Sequence, residues 1–249
     1  MSDHWYDRAG KPQYEQTTLK GGTRSTDLRD ARKHGLVPSV TTILQVAPKP
    51  QLEAWKVKQG ILAALTATRD PSESDDAFIA RVLKDSQEQA KKAAEEGNRI
   101  HDACEAHYRG QSVLAQYQPH VTAVATCVSQ LFPGVSDWVA EAYFSHDSGF
   151  GGKVDLHSPS SGIVIDYKGK DGDFTDGKKL AYDQHYQLAA YSRGLNLPIA
   201  TAANIFVSRT HPGCVASHVW TVEDMTEGWD FFCAALNLWR KWKKFDPAY

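Results

Sequence analysis

Apolar and polar positions recur along this chain with two different periods, and the changes of period divide it into elements. Between residues 86 and 108, Ala90, Ala93, Ala94, Gly97, Ile100, Cys104 and Tyr108 fall at i, i+3, i+4 and i+7, which predicts a long helix with one inward stripe. Shorter runs rich in β-branched and aromatic residues predict strands near 137–145, 152–157, 163–168, 201–208 and 215–221. Further helices are expected at 28–33, from Pro50 to about 68, at 114–131, at 182–195 with Gly194 near its end, and at 223–245. The order fits an α/β fold whose central mixed sheet begins as an antiparallel meander and is flanked by helices, with N-terminal helical additions. A polar arm is expected over residues 1–36, a polar linker over 70–76, and one domain over 37–249.

The segment Ser158-Pro159-Ser160-Ser161-Gly162 separates the second and third strands with turn-forming residues, so the two read as a hairpin. If Ser158 pairs with Ile163, the same register sets Asp155 opposite Asp166. Opposed residues have Cβ atoms about 5 Å apart, so two carboxylates would repel unless a cation neutralised them. Magnesium and manganese prefer such oxygen ligands. Lys168, two residues beyond Asp166, falls on the same face of the strand. Asp, Asp and Lys around one point suit phosphodiester hydrolysis: a metal lowers the pKa of a bound water, and the ammonium stabilises transition-state charge. Solvated charges on a surface hairpin would leave the same residues in the sequence.

Neighbouring elements offer further polar groups. Gln187 and Tyr191 are four apart on one helical face. The amide suits holding a phosphate or a water, or simply packing; the tyrosine reads as packing, with stacking or donation as the other role. His101 points inward from the long helix, where an imidazole serves either as a hydrogen-bonded core residue or as a ligand. Gly97 would let that helix approach a neighbour closely.

Composition changes the picture only at the margins. Hydrophobic residues make up 41% of 249, with no apolar run near 18 residues and no apolar leader after the polar start, which predicts a soluble cytoplasmic protein with no membrane partner. A net charge of −2 does not advertise nucleic-acid binding. Its distribution says more: residues 1–36 carry seven Lys or Arg against five acids, and the tail Arg240-Lys241-Trp242-Lys243-Lys244 is basic beside Trp239, while 70–105 is acidic. Cys104, Cys127, Cys214 and Cys233 lack C-x-x-C spacing and read as free thiols.

Taken in order, Gly97-Asn98-Arg99-Ile100-His101, then Gly151-Gly152-Lys153-Val154-Asp155, then Val164-Ile165-Asp166-Tyr167-Lys168, then Gln187-x-x-x-Tyr191 resemble the motifs of RecB-type nucleases of the PD-(D/E)xK superfamily. Residues 28–37 and 38–55 are similar to the entry segment of phage and prophage exonucleases of this type. The resemblance covers roughly residues 26–195. It implies a PD-(D/E)xK restriction-endonuclease-like core over 37–249 and a DNA exonuclease dependent on Mg or Mn, acting in phage or prophage recombination or replication. DNA would be its partner, with a phage single-strand annealing protein as a second. Carried over, His101, Asp155, Asp166 and the Tyr167 carbonyl would be metal ligands, Lys168 the catalytic lysine, Gln187 and Tyr191 substrate contacts, and Glu141 a further catalytic acid. Asp166 stands where many members have glutamate. The late cysteine trio of iron–sulfur members is missing, so no cluster is expected. A structure-specific endonuclease or nickase with the same centre, and a DNA-end-binding accessory protein whose centre has decayed, are the competing readings.

Overall fold

The computed structural model describes residues 3–198 and 200–248, apart from the side chain of Gln51. In chain order it comprises β1 (Trp5–Tyr6), β2 (Glu15–Thr17), β3 (Thr23–Ser25), α1 (Leu28–His34), β4 (Val37–Pro38), α2 (Val40–Ile43), α3 (Pro50–Thr66), α4 (Asp75–Tyr108), α5 (Gln118–Leu131), β5 (Val139–His146), β6 (Phe150–Ser158), β7 (Ile163–Lys170), α6 (His185–Gly194), β8 (Ala202–Ser208), β9 (Val215–Trp220) and α7 (Val222–Lys243). Strands β5 to β9 form one five-stranded mixed sheet in sequential order. Its pairs are antiparallel except β7–β8, which is parallel. A parallel pair needs a crossover, and α6 supplies it.

Helices cover both faces of the sheet. On one face Leu188 of α6 and Phe232 of α7 pack with Val40 and Ile43 of α2 against Val164, Ala202 and Phe206. On the other, Ile100 and Cys104 at the end of α4 and Val121, Val124 and Val128 of α5 pack against Ile165, Ala203 and Ile205. The alternation along β7 and β8 follows the strand period of two. Residues 204 and 166 therefore face α6, and residues 165 and 167 face α4.

Packing divides the chain differently from an arm followed by one domain. Residues up to Val46 belong with those from Ile100 onward, and Ala47–Arg99 forms a second unit. Part of the expected arm joins the core, with Trp5, Tyr6, Ala31 and Leu36 buried, while β2, β3 and Leu19 stay largely exposed. Strand β1 pairs with β4, Ser39 bridges to Gly151, and Trp5 is fully buried. Asp27 caps α1 through a capping box, and Gly35 ends it at φ 64°, a left-handed conformation that glycine adopts freely. Within the second unit, α3 starts at Pro50, and α4 begins at Asp75, earlier than the predicted 86, with Asp75 and Asp76 in its first turn where the helix dipole favours acids. In the basic tail, Trp239 is buried and Arg240 donates to the Ser148 carbonyl, while Trp242 is exposed. Among the described residues, no helix is long and apolar enough to cross a membrane.

Candidate active site

The hairpin register begins as the turn residues dictate and then breaks where the acids lie. Ser158 pairs with Ile163, His157 with Val164 and Leu156 with Ile165, but the expected pair of Asp155 with Asp166 does not form. Strand β6 changes faces at this point: Val154 packs in the core under α6, whereas Leu156, two residues on, packs in the core under α4. Between them the Asp155 carboxylate takes over the ladder's role, accepting from the Tyr167 amide at 2.8 Å. Strand β5 changes faces at the same level, where Glu141 adopts φ 52°, a conformation uncommon outside glycine. Ala140 and Ala142 pair with Leu156 and Val154 on either side of it.

Asp155 and Asp166 thus meet different partners. His101, carried by the last turns of α4, sets Nδ1 3.4 Å from Asp155 Oδ2. Asp166, 3% exposed, points toward α6. Its Oδ1 accepts from Lys168 Nζ and Gln187 Nε2, both at 3.0 Å, and its Oδ2 accepts from Lys168 Nζ and Asn204 Nδ2, both at 2.8 Å. Gln187 also accepts from Lys168 at 3.2 Å and donates to the Tyr191 hydroxyl at 2.7 Å. Tyr191 is buried edge-to-face on Phe144.

Burial and neighbouring charge set the protonation of this group. For His101, burial disfavours the imidazolium, but the charge and hydrogen bond of Asp155 outweigh it and raise its pKa. Burial likewise opposes ionisation of Asp155, yet His101 and the Tyr167 amide hold it below the usual carboxylate range. Asp166 is pushed up by burial and by the Asp155 charge, against the pull of Lys168. Lys168 is half-buried, and its carboxylate neighbours raise it against the cost of desolvation, so the ammonium stays protonated at neutral pH.

By its chemistry this donor set suits a hard divalent cation: two carboxylates, an imidazole and a backbone carbonyl, with no hydrogen bond to Asp155 Oδ1 among the described residues. As the side chains stand, Asp166 spends both oxygens on protein donors. Among the described residues, no three His, Cys, Asp or Glu side chains converge closely enough to enclose an ion.

Glu141 lies apart from these contacts. Its carboxylate ion-pairs with Lys153, stands 3.6 Å from Arg109 and accepts from the Tyr143 hydroxyl at 3.3 Å. Asn204, by contrast, touches the centre and was not singled out in the sequence. An asparagine in the apolar run Ala-Ala-Asn-Ile-Phe-Val was the available signal, because asparagine is depleted in strands and a buried polar side chain demands partners.

No protein-family model matches this chain. No curated protein matches it either. Among solved structures it is similar to a phage-related exonuclease from Haemophilus somnus 129PT, with 14% identity and a TM-score of 0.32 over 71% of this chain and 90% of that one. It is similar also to SSO0001, with 12% identity and a TM-score of 0.29 over 74% of this chain and 86% of the other. Likenesses this loose leave function to the geometry of the site.

Proposed function

We propose that this chain is a metal-dependent deoxyribonuclease of the RecB-like PD-(D/E)xK type, hydrolysing phosphodiester bonds as an exonuclease in phage or prophage DNA recombination or replication. The observation that supports this reading is that β6, β7 and α4 set Asp155 against His101 and Asp166 against Lys168, two partly buried pairs close enough for the charge of each to act on the other. A buried carboxylate beside a partly buried one costs folding free energy unless cations compensate them. One ammonium and one imidazole supply that compensation between them, and a divalent ion would share it when bound. His101, Asp155, Asp166 and the Tyr167 carbonyl would hold magnesium or manganese, which supplies an activated water and a polarised phosphate.

The remaining work falls to the chain's own groups. Lys168 sets a protonated amine beside Asp166, where it can orient the nucleophile and offset negative charge growing on the phosphoryl oxygens. Gln187 grips both Lys168 and Asp166 through its two amide ends, so α6 fixes the ammonium relative to the carboxylate. Positioning to fractions of an ångström matters because misplacement of reacting groups is costly in rate.

The test is cleavage of linear, nicked and closed circular duplex DNA by the purified chain with magnesium, manganese or EDTA. Metal-dependent loss of linear DNA alone is expected. Cleavage of closed circles would instead mark an endonuclease, and binding of ends without cleavage an accessory protein. Asp155→Ala and Asp166→Asn should each abolish cleavage in a folded protein; more than a few per cent of wild-type activity in both would sink the site.

A further inference from the structure

Asn204 and Trp220 lie beyond every motif assigned above, yet they meet the candidate centre from behind. Strand β8 runs parallel to β7 with Asn204 in register with Asp166, so the two side chains emerge side by side on the α6 face. Asn204 is fully buried. An amide in that position is tolerated only when both ends are satisfied. Its Nδ2 donates to Asp166 Oδ2 at 2.8 Å and to the Asp166 carbonyl at 3.3 Å, and its Oδ1 accepts from Trp220 Nε1 at 2.8 Å.

The direction of this chain of bonds follows from chemistry. An indole N–H donates and never accepts, so Trp220 compels Asn204 to turn its oxygen toward β9. The amide nitrogen must then face the carboxylate. Trp220 is itself fixed, 6% exposed, its ring 4.5 Å from that of His185 and 4.2 Å from that of His218 between centroids. Without the indole donor the amide could rotate and present oxygen to Asp166, which would repel it.

We infer that Trp220 and Asn204 form a positioning relay that locks the orientation of the Asp166 carboxylate for the reaction at this centre. Asn204 grips side chain and main chain of the same residue, so it fixes both the torsion of the carboxylate and the path of β7 through Asp166. Neither residue is a catalytic residue, since each acts only through Asp166. The functional part of this inference rests on the nuclease reading.

Three proteins decide it: the wild-type chain, Asn204→Leu, which keeps the volume and removes the amide, and Trp220→Phe, which keeps an aromatic ring and removes the donor. Calorimetric manganese titration, thermal melting and single-turnover cleavage of linear duplex are measured on each, with rates expressed per folded molecule. Groups that orient a metal ligand typically matter by about 10- to 100-fold in affinity or activity. Both variants should therefore bind manganese at least roughly tenfold more weakly and cleave correspondingly slower, with KM for DNA unchanged. Should Asn204→Leu fail to fold, Trp220→Phe decides alone. Manganese affinity and single-turnover rate within twofold of wild type in the folded variants would overturn the relay. A wild-type chain that neither takes up manganese nor cleaves DNA would instead overturn the reading of the centre itself.

Discussion

At the scale of single residues, burial decides which charges matter. Lys168 is held between Asp166 and Gln187, so its removal should leave the two acids in place while taking away the one ammonium beside them. Lys168→Ala should bind manganese with near wild-type affinity and cleave about 10²-fold slower in single turnover, the scale of losing one electrostatic or proton-transfer group. Rates near wild type would make it a structural lysine. Away from the centre, the exposed Asp137, just before β5, is shifted instead by hydrogen bonds to the β6–β7 turn. It accepts from Ser158 Oγ at 2.5 Å and from the Ser160 amide at 2.8 Å, and these bonds hold its carboxyl down at about 2. A depressed acid stabilises the fold above its ordinary value of about 4, and that stabilisation fades as pH falls toward 2. Asp137→Asn should therefore melt below wild type at pH 7, with a gap that narrows between about pH 4 and pH 2. A gap independent of pH would show that the bonds, not the charge, carry the effect.

At the scale of elements, close approach of backbones places α6, and with it Gln187. A Cβ at Gly228 of α7 would stand 2.7 Å from the His185 carbonyl oxygen of α6, so the two helices pack at a distance only glycine permits. Overpacking costs about 1–3 kcal/mol, and replacing a helical glycine by alanine returns about 1 kcal/mol. The clash wins. Gly228→Ala should lower stability by up to about 2 kcal/mol in denaturant titration. Gly60→Ala in α3, where a Cβ meets nothing within 4 Å, should have the opposite sign. Equal effects at the two positions would refute the packing argument. The switch of faces in β5 and β6 is the other decision taken at this scale. It opens β7 beyond Ile165 on its β6 side, which frees the Tyr167 amide for Asp155.

At the scale of the whole molecule, stability is unevenly distributed. Every residue of β8 is buried, whereas none of the described side chains of α3 is, and Trp55, Val57, Ile61, Leu62 and Leu65 are exposed. Local opening is easiest where few apolar contacts are lost. In native-state hydrogen exchange, the amides of α3 should exchange at least about an order of magnitude faster than those of β7 and β8. Protection of α3 equal to that of β8 would show that its apolar side chains are covered in solution.

The sequence by itself determined the elements whose signal is local. The strands from β5 to β9, the helices after Pro50 and before Pro133-Gly134, and the turn that pairs Ser158 with Ile163 all follow from periodicity and turn chemistry within a few residues. The spacing that sets Lys168 beside Asp166 is local in the same way. Strands β1 to β4 were not legible, because two or three residues carry no period. The division at Ala47–Arg99 depends on which side chains find partners far along the chain. Only the tertiary structure ended the β6–β7 ladder one step before the acids, turned Glu141 toward Lys153 and Arg109, and brought Asn204 and Trp220 behind Asp166. Each of these outcomes is a competition between groups distant in sequence for the same buried donor or acceptor, and a chain read residue by residue does not contain its result.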